Sequence, residues 1–345
     1  MIADPILTIA ALVLAHLVAD FIVQTGGVVA AKTSTGVRAM GGLLVHGAGV
    51  GICLVPAGIA FGAPGWAVLA TITVSHVLID WTKVLATRRV ERIALARARR
   101  RHEGTAPDAA LGRAWTPLPA AFFALDQLAH LAAIGVAWTI WLAAQPPTPE
   151  WSSAAGGLLA GRDLAAVHDV VLVTVVLASL LIVNVRGGAL FVATLVRPLE
   201  LSDAIAGDVP ADARAAVAAQ AMSADGESRR RGGGGWSFRI GPLAGRVEAD
   251  PNVTLDSAEI AGERVALPPP VQVGATIGVL ERLLIVTFVL AGADAAIGFV
   301  VGAKTLARFR LLDDRDFAEY YLLGTLASVG VAVLTAIIAR AALQA

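Results

Sequence analysis

Long apolar segments are the feature that most constrains the fold of this chain. A helix needs about 20 mostly apolar residues to cross the hydrocarbon core of a bilayer, and eight segments approach or reach that length. The 345 residues are 57% apolar and 16% charged, whereas soluble domains carry about 25% charged residues. The sequence therefore predicts an all-α integral membrane protein and excludes the disordered and collagen-like classes.

Two further counts narrow the class of protein. The 27 basic residues equal the 27 acidic residues, so the chain offers no global attraction to a nucleic acid. Its one cysteine, Cys53, cannot form an internal disulfide and says nothing about the redox compartment.

The eight predicted transmembrane helices follow from the same length rule. They are residues 6–23, 40–61, 66–85, 119–144, 167–185, 275–291, 295–306 and 319–342. The seventh is short, which is typical of either a re-entrant piece or a tilted span inside the bundle. The prediction therefore divides the chain into helices 1–5 within residues 1–197, a soluble insert at 198–273, and helices 6–8 within residues 274–345.

Basic residues set the predicted orientation, because cytoplasmic loops accumulate Lys and Arg. Eight arginines follow the third span, so this loop is placed inside. Alternating from there puts 23 of the 27 basic residues on the cytoplasmic side. We therefore expect both termini outside and the soluble insert in the cytoplasm. Patchy alternation after residue 235 favours a small β-rich lobe within that insert.

Ionisable side chains recur inside the first four spans, where they are costly and usually face the bundle interior. They are His16, Asp20, His46, His76, Asp80, Asp126 and His130. Spans one and three carry His-x-x-x-Asp, and span four, which runs the other way, carries Asp-x-x-x-His. An i,i+4 spacing places each pair on one helix face. Because span four crosses the membrane in the opposite direction, its reversed order places its His at the same membrane depth as the His of spans one and three. The three Asp residues then share a second depth, and a shared site requires such an arrangement.

Four histidines and three aspartates form a nitrogen and oxygen donor set. Such a set suits Zn²⁺, Mn²⁺ or Fe²⁺, and it contains enough ligands for two ions. The same residues are also compatible with an interhelical hydrogen-bond network or a proton pathway, or with unrelated positions. The sequence leaves these interpretations open.

A second group of polar residues is placed on the same, cytoplasmic side of the membrane. Gln24, Lys32 and Lys83 follow the two His-x-x-x-Asp pairs, and they either bind an anionic group or snorkel to the interface. Gln127 adjoins Asp126 in the fourth span. Glu281 and Arg282 lie in the sixth span and, as sequence neighbours, point in different directions; an intramembrane charge pair with a structural role is favoured for them.

These motifs resemble a family of uncharacterised bacterial multipass membrane proteins, domain of unknown function 3307. The similar segments are HLVADFIVQT with Lys32, His46, SHVLIDWTK, FALDQLAH and the C-terminal run from GVLERLLIV to AEYYLLGTLAS. They cover residues 6–142 and 274–342, and the insert lies outside them. The resemblance implies a multipass protein of the bacterial inner membrane and brings no activity with it. A looser similarity to membrane-bound metal-dependent hydrolases is an analogy only.

The leading functional hypothesis is a metal-dependent membrane enzyme, of hydrolase type, acting on a lipid-linked or amphipathic substrate near the cytoplasmic face. The seven His and Asp residues hold metal, one of the three carboxylates serves as general base, and Lys32 or Lys83 stabilises negative charge. A di-iron oxygen-activating enzyme is a variant. A metal-ion or proton-coupled transporter is the alternative, and a scaffold with a partner-binding lobe is a further one. The bilayer is the predicted partner, nucleic acid is not, and the sequence does not address the oligomeric state.

Overall fold

A computed structural model describes residues 4–102, 113–114, 116–196, 199–200, 236–240, 243–247, 270–313 and 315–344. Its α-helices are α1 (Pro5–Val18), α2 (Gly26–Lys32), α3 (Gly36–Phe61), α4 (Ala63–His102), α5 (Leu118–Trp141), α6 (Pro149–Leu158), α7 (Leu164–Ile182), α8 (Gly188–Val196), α9 (Pro270–Leu290), α10 (Ala295–Ala307) and α11 (Arg315–Gln344). Its strands are β1 (Arg113–Ala114), β2 (Leu199–Glu200), β3 (Trp236–Ile240) and β4 (Leu243–Val247).

Six helices of the described chain are long and apolar enough to cross a membrane. They are Pro5–Val23, Gly36–Phe61, Ala63–Ala94, Leu118–Trp141, Leu164–Val196 and Phe317–Gln344. The predicted multipass membrane class is thereby confirmed. The other two predicted spans correspond to α9 and to α10, which has only 13 residues, so the count of eight stays a prediction.

Several helices extend beyond the predicted spans. The helix α4 continues to His102, although its apolar part was expected to end at residue 85. Hydropathy marks only the segment that lies in lipid, whereas arginine is a good helix former and lets the helix continue into water. The fifth span likewise continues through α8 to Val196 rather than ending at residue 185.

The short helix α2 lies where the sequence predicted an inside loop. The Thr25 hydroxyl accepts a hydrogen bond from the Val28 N–H and caps its N-terminus. The helix packs so closely on α3 that a Cβ added at Gly42 would lie 2.4 Å from the Lys32 backbone nitrogen. This close approach brings the end of α2, with Lys32, into the bundle.

Two π-helical turns interrupt the spanning helices. One is Ala19–Val23, directly after α1, and the other is Val183–Gly187, between α7 and α8. A π turn inserts an extra residue and redirects the side chains that follow, and such turns occur often at functional sites. The first contains Asp20 and the second contains Asn184.

Two apolar clusters hold the helices together. The first joins α1, α3, α4 and α5 and includes Leu12, Val50, Leu54, Val68, Ile72, Ile134, Ala137 and Leu142. The second joins α7, α9 and α11 and includes Val176, Leu180, Ile285, Val289, Ala332 and Ala336. Many other apolar side chains of the spanning helices face outward, as a lipid-facing surface requires.

The chain divides into two units, Met1–Leu201 with Pro270–Ala345, and Ser202–Pro269. In the first unit, β1 pairs antiparallel with β2. In the second, β3 and β4 form an antiparallel hairpin in which Trp236 pairs with Val247. Most of the insert lies outside the described residues, so the β-rich lobe stays a prediction.

Candidate metal centre

Seven ionisable side chains from four helical segments meet inside the first unit. His16 lies on α1, Asp20 on the π turn that follows it, His46 on α3, His76 and Asp80 on α4, and Asp126 and His130 on α5. Six of them are at most 4% exposed, and the Asp20 side chain is 10% exposed. The structure therefore brings together all the residues that the sequence predicted as metal ligands.

The four imidazole rings form one continuous layer. The ring centroids of His76 and His130 are 4.0 Å apart, and those of His16 and His130 are 4.9 Å apart. His46 joins the layer through His76, since the two Nε2 atoms lie 2.9 Å apart. At this distance one ring nitrogen donates a hydrogen bond to the lone pair of the other.

Two of the carboxylates lie directly against these rings. Asp20 Oδ1 is 3.2 Å from both His46 Nε2 and His76 Nε2. His46 Nε2 is also 3.5 Å from Asp80 Oδ2. Gln127 links two helices, because its amide Nε2 donates to Asp20 Oδ2 at 3.3 Å and to Asp126 Oδ2 at 3.1 Å.

Two of the three carboxylates, Asp80 and Asp126, each bind a lysine. Lys32 Nζ donates to Asp80 Oδ2 at 2.7 Å and to Gln24 Oε1 at 2.6 Å. Lys83 Nζ donates to Asp126 Oδ2 at 2.8 Å and lies 5.1 Å from the centre of the Phe123 ring. Of the second group of residues predicted near the centre, Lys32, Lys83 and Gln127 are therefore in direct contact with it, and Gln24 is connected to it through Lys32. The Lys32 side chain is 10% exposed, and that of Lys83 is 25% exposed.

His130 has the orientation that metal-binding histidines adopt. Its Nδ1–H donates to the backbone carbonyl of Asp126 at 2.8 Å, because a carbonyl oxygen can only accept. The neutral ring then presents a bare lone pair on Nε2, which is buried and has no hydrogen-bond partner. Donation from one ring nitrogen to a carbonyl is the outer-shell contact that fixes a ligand histidine.

Unpartnered polar atoms are concentrated in this centre. Five buried side-chain atoms of the centre form no hydrogen bond within the described chain: His16 Nδ1 and Nε2, His76 Nδ1, Asp126 Oδ1 and His130 Nε2. A buried polar group left unpaired costs about 1–3 kcal/mol, so a shared partner for these atoms is strongly favoured.

The donor atoms are close enough to share cations. Three groups have one ligand atom from each residue within 4.8 Å of the others: His16, Asp20 and His76; His46, His76 and Asp80; and Asp80, Asp126 and His130. His76 and Asp80 each belong to two of the groups. The residues present therefore fit a divalent ion bound by nitrogen and oxygen, and their arrangement has room for adjacent sites.

The centre is closed on one side by the first apolar cluster. Leu12 precedes His16 on α1, Ile72 precedes His76 on α4, and Ile134 follows His130 on α5; all three are at most 3% exposed. The other side carries the polar residues: Gln24 follows the π turn after α1, Lys83 follows His76 and Asp80 on α4, and Lys32 at the end of α2 contacts Asp80. Polar access to the centre is therefore from the lysine side.

Glu281 and Arg282 lie in a different set of contacts. Arg282 is 2% exposed, and it donates from Nε to the Asn184 carbonyl at 2.7 Å and from Nη1 to Ser328 Oγ at 3.0 Å. Glu281 pairs instead with Lys304, at 2.6 Å. The two neighbours thus point to different partners, as their adjacency predicted, but they do not pair with each other.

Two residues of importance were missed from the sequence. Asn184 is completely buried in the second π turn, and its backbone carbonyl accepts a hydrogen bond from Arg282 Nε. Arg88 donates to the carbonyl groups of Thr33 and Ser34 and so holds the end of α2. Asn184 could have been identified from the sequence, because it is a polar residue inside an apolar span. Arg88 could not, because nothing in the sequence distinguishes it from the other arginines of its arginine-rich segment.

Residues 8–155 match the model of a family described as protein of unknown function (DUF3307). The predicted resemblance is confirmed over that range. The DUF3307 match contains all seven residues of the centre together with Gln24, Lys32, Lys83 and Gln127. The C-terminal run lies outside it, and there the resemblance stays a prediction. No curated protein and no solved structure matches the chain.

Proposed function

We propose that this protein is a metal-dependent membrane enzyme of hydrolase type that acts on a lipid-linked or amphipathic substrate. The observation that carries the proposal is a buried centre of four histidines and three aspartates, with a packed apolar cluster on one side and two lysines on the other. A bound divalent ion lowers the pKa of its water and stabilises charge on a leaving oxygen. Asp20 is the best placed carboxylate to take a proton, because the two lysines bind Asp80 and Asp126 instead.

The location that we propose is the bacterial inner membrane, with the lysine side of the centre at the cytoplasmic face. The support is the predicted topology, in which the arginine-rich end of α4 is inside. An amphipathic substrate then reaches the centre from the inner leaflet with its polar group at the level of the lysines.

The apolar packing on one side of the centre argues against a carrier. A transporter must open its site to both faces, but the side of the imidazole layer away from the lysines is filled by closely packed residues such as Val68 and Ala137, neither of which is exposed. The chain of close contacts from Lys32 through Asp80 and His46 to His76 is the observation that favours ion or proton movement. A direct comparison can decide between the two functions.

The test uses purified full-length protein loaded with Mn²⁺ or Zn²⁺. We expect metal-dependent release of product from a panel of amphipathic ester substrates, lost in Asp20→Asn and kept in the control Asp294→Asn, whose carboxylate is exposed. In proteoliposomes we expect no uptake of radioactive Mn²⁺ or Zn²⁺. Uptake that depends on His76, without hydrolysis of any substrate, would identify a carrier instead.

A further inference from the structure

We infer that the substrate group recognised by this centre is a phosphate ester, bound by Lys32 and Lys83 after a divalent ion has taken over their carboxylates; the inference rests on the proposed metal-dependent function. The geometry that points to it is that the lysines and the metal ion would bind the same carboxylates. Lys32 and Lys83 bind Asp80 Oδ2 and Asp126 Oδ2, and these two carboxylates also belong to the candidate metal groups.

Charge balance requires an anion when metal binds. With neutral imidazoles, the three carboxylates and two ammonium groups leave a single net negative charge. One divalent ion turns this into a net positive charge, and a second ion makes it larger. Uncompensated charge is costly in a buried site, so the metal-loaded centre favours an anionic ligand over a neutral one.

A cation on these carboxylates changes what the lysines can do. When Asp80 and Asp126 also bind a cation, less of their negative charge is left for the ammonium groups, and Gln24 Oε1 supplies only one neutral acceptor to Lys32. A phosphate group offers several charged oxygens, and lysine is a frequent phosphate ligand. Lys83, with a quarter of its side chain exposed, is the lysine that can meet an incoming group.

Basic residues continue from the centre along the same helix. On α4, Asp80 is followed by Lys83, then by Arg88, Arg89 and Arg92. At about 1.5 Å per residue, these cations extend about 14 Å beyond Lys83 towards the end of the helix. Such an arrangement attracts anions and guides them towards Lys83, whereas it does nothing for a neutral ester.

The binding test uses the full chain in detergent micelles, with Mn²⁺ as the metal. The probes are inorganic phosphate, dihexanoyl phosphatidic acid and dihexanoylglycerol, which is the matched lipid without a phosphate. Mn²⁺ binding is measured first by electron paramagnetic resonance, and then each probe is titrated by calorimetry with and without Mn²⁺. We expect at least one phosphate-bearing probe to bind tenfold or more tightly when Mn²⁺ is present, and dihexanoylglycerol not to respond.

Lysine variants connect this effect to the proposed contacts. Lys32→Gln and Lys83→Gln should reduce phosphate binding tenfold or more while they bind Mn²⁺ as tightly as wild type or more so, because a competitor for the carboxylate is removed. Retained Mn²⁺ binding also shows that the variants are folded. Lys83→Arg should keep phosphate binding, and Lys304→Gln, which removes a paired ammonium group outside the centre, should leave it unchanged.

The outcomes separate this inference from the function on which it rests. If wild type binds no Mn²⁺, the metal-dependent function fails, and the inference fails with it. If Mn²⁺ binds but phosphate affinity is the same without Mn²⁺ or in the lysine variants, only the inference is overturned. Tighter binding of dihexanoyl phosphatidic acid than of inorganic phosphate identifies a lipid phosphate, and equal binding identifies a soluble one.

Discussion

Lys32 Nζ lies 2.7 Å from Asp80 Oδ2, in a buried ion pair between two residues that are 48 positions apart in the chain. The pair joins the end of the short helix α2 to the middle of the long helix α4. The pair therefore connects α2, a helix that the sequence did not predict, to one of the His-x-x-x-Asp motifs that it did predict.

We predict that breaking this pair from either side is costly and that removing both partners is not. Asp80→Asn leaves an ammonium group buried without its carboxylate, for which a loss of about 3–5 kcal/mol in unfolding free energy is expected. The double variant Asp80→Asn with Lys32→Met should recover most of that loss. Thermal unfolding of the two single variants and the double variant measures the coupling. Strictly additive effects would show that the two groups do not interact in solution.

A second prediction concerns the packing of α2 on α3. A methyl group at Gly42 would overlap the backbone of Ala31 and Lys32, whereas one at Gly41 meets nothing within 4 Å. Gly42→Ala should lower the unfolding free energy by about 1–3 kcal/mol through overpacking. Gly41→Ala is the matched control and should be neutral or slightly stabilising, because alanine favours the helix.

Hydrogen exchange provides the local readout for the same pair of variants. Faster exchange of the amides in Gly26–Lys32 is expected only in Gly42→Ala, since the substitution separates α2 from its support. Equal exchange in the two variants would mean that α2 does not pack on α3 as described.

A third prediction separates the arginine contacts from the metal centre. Arg282 binds the Asn184 carbonyl and Ser328, which lie in the π turn after α7 and in α11. Arg282→Gln should cost about 1.5–3 kcal/mol, the usual contribution of hydrogen bonds to a charged group, without a change in metal content. Arg340→Gln, at an exposed position of α11, is the control. Loss of metal in Arg282→Gln would show that this residue does belong to the centre.

The predictable part of the site followed from helix geometry. Residues four positions apart share a face, and the reversed order of Asp126 and His130 in the fourth span indicated one common depth. In the structure the imidazole rings of these helices are in contact, His76 with both His130 and His46. Periodicity and chain direction were therefore enough to assemble the seven residues.

The remaining parts depend on backbone features that have little sequence signal. The π turn that contains Asp20, the seven-residue helix α2 and the length of α4 are determined by packing and by solvation beyond the lipid, not by hydropathy. Lys32 and Lys83 illustrate the consequence. Their proximity to the centre was predicted, but their direct pairing with Asp80 and Asp126 depends on where α2 ends and how α4 packs on α5.

The most direct test of the central claim is the metal content of the full-length protein, purified in detergent without chelator. His76 belongs to two of the three candidate metal groups and Asp126 belongs to the third, so His76→Ala with Asp126→Ala disrupts all three. His168→Ala with Asp294→Asn is the matched control outside the centre. We expect wild type and control to contain at least one divalent ion per chain, and the His76/Asp126 double variant to contain none. Metal-free wild-type protein that is correctly folded would contradict the metal centre.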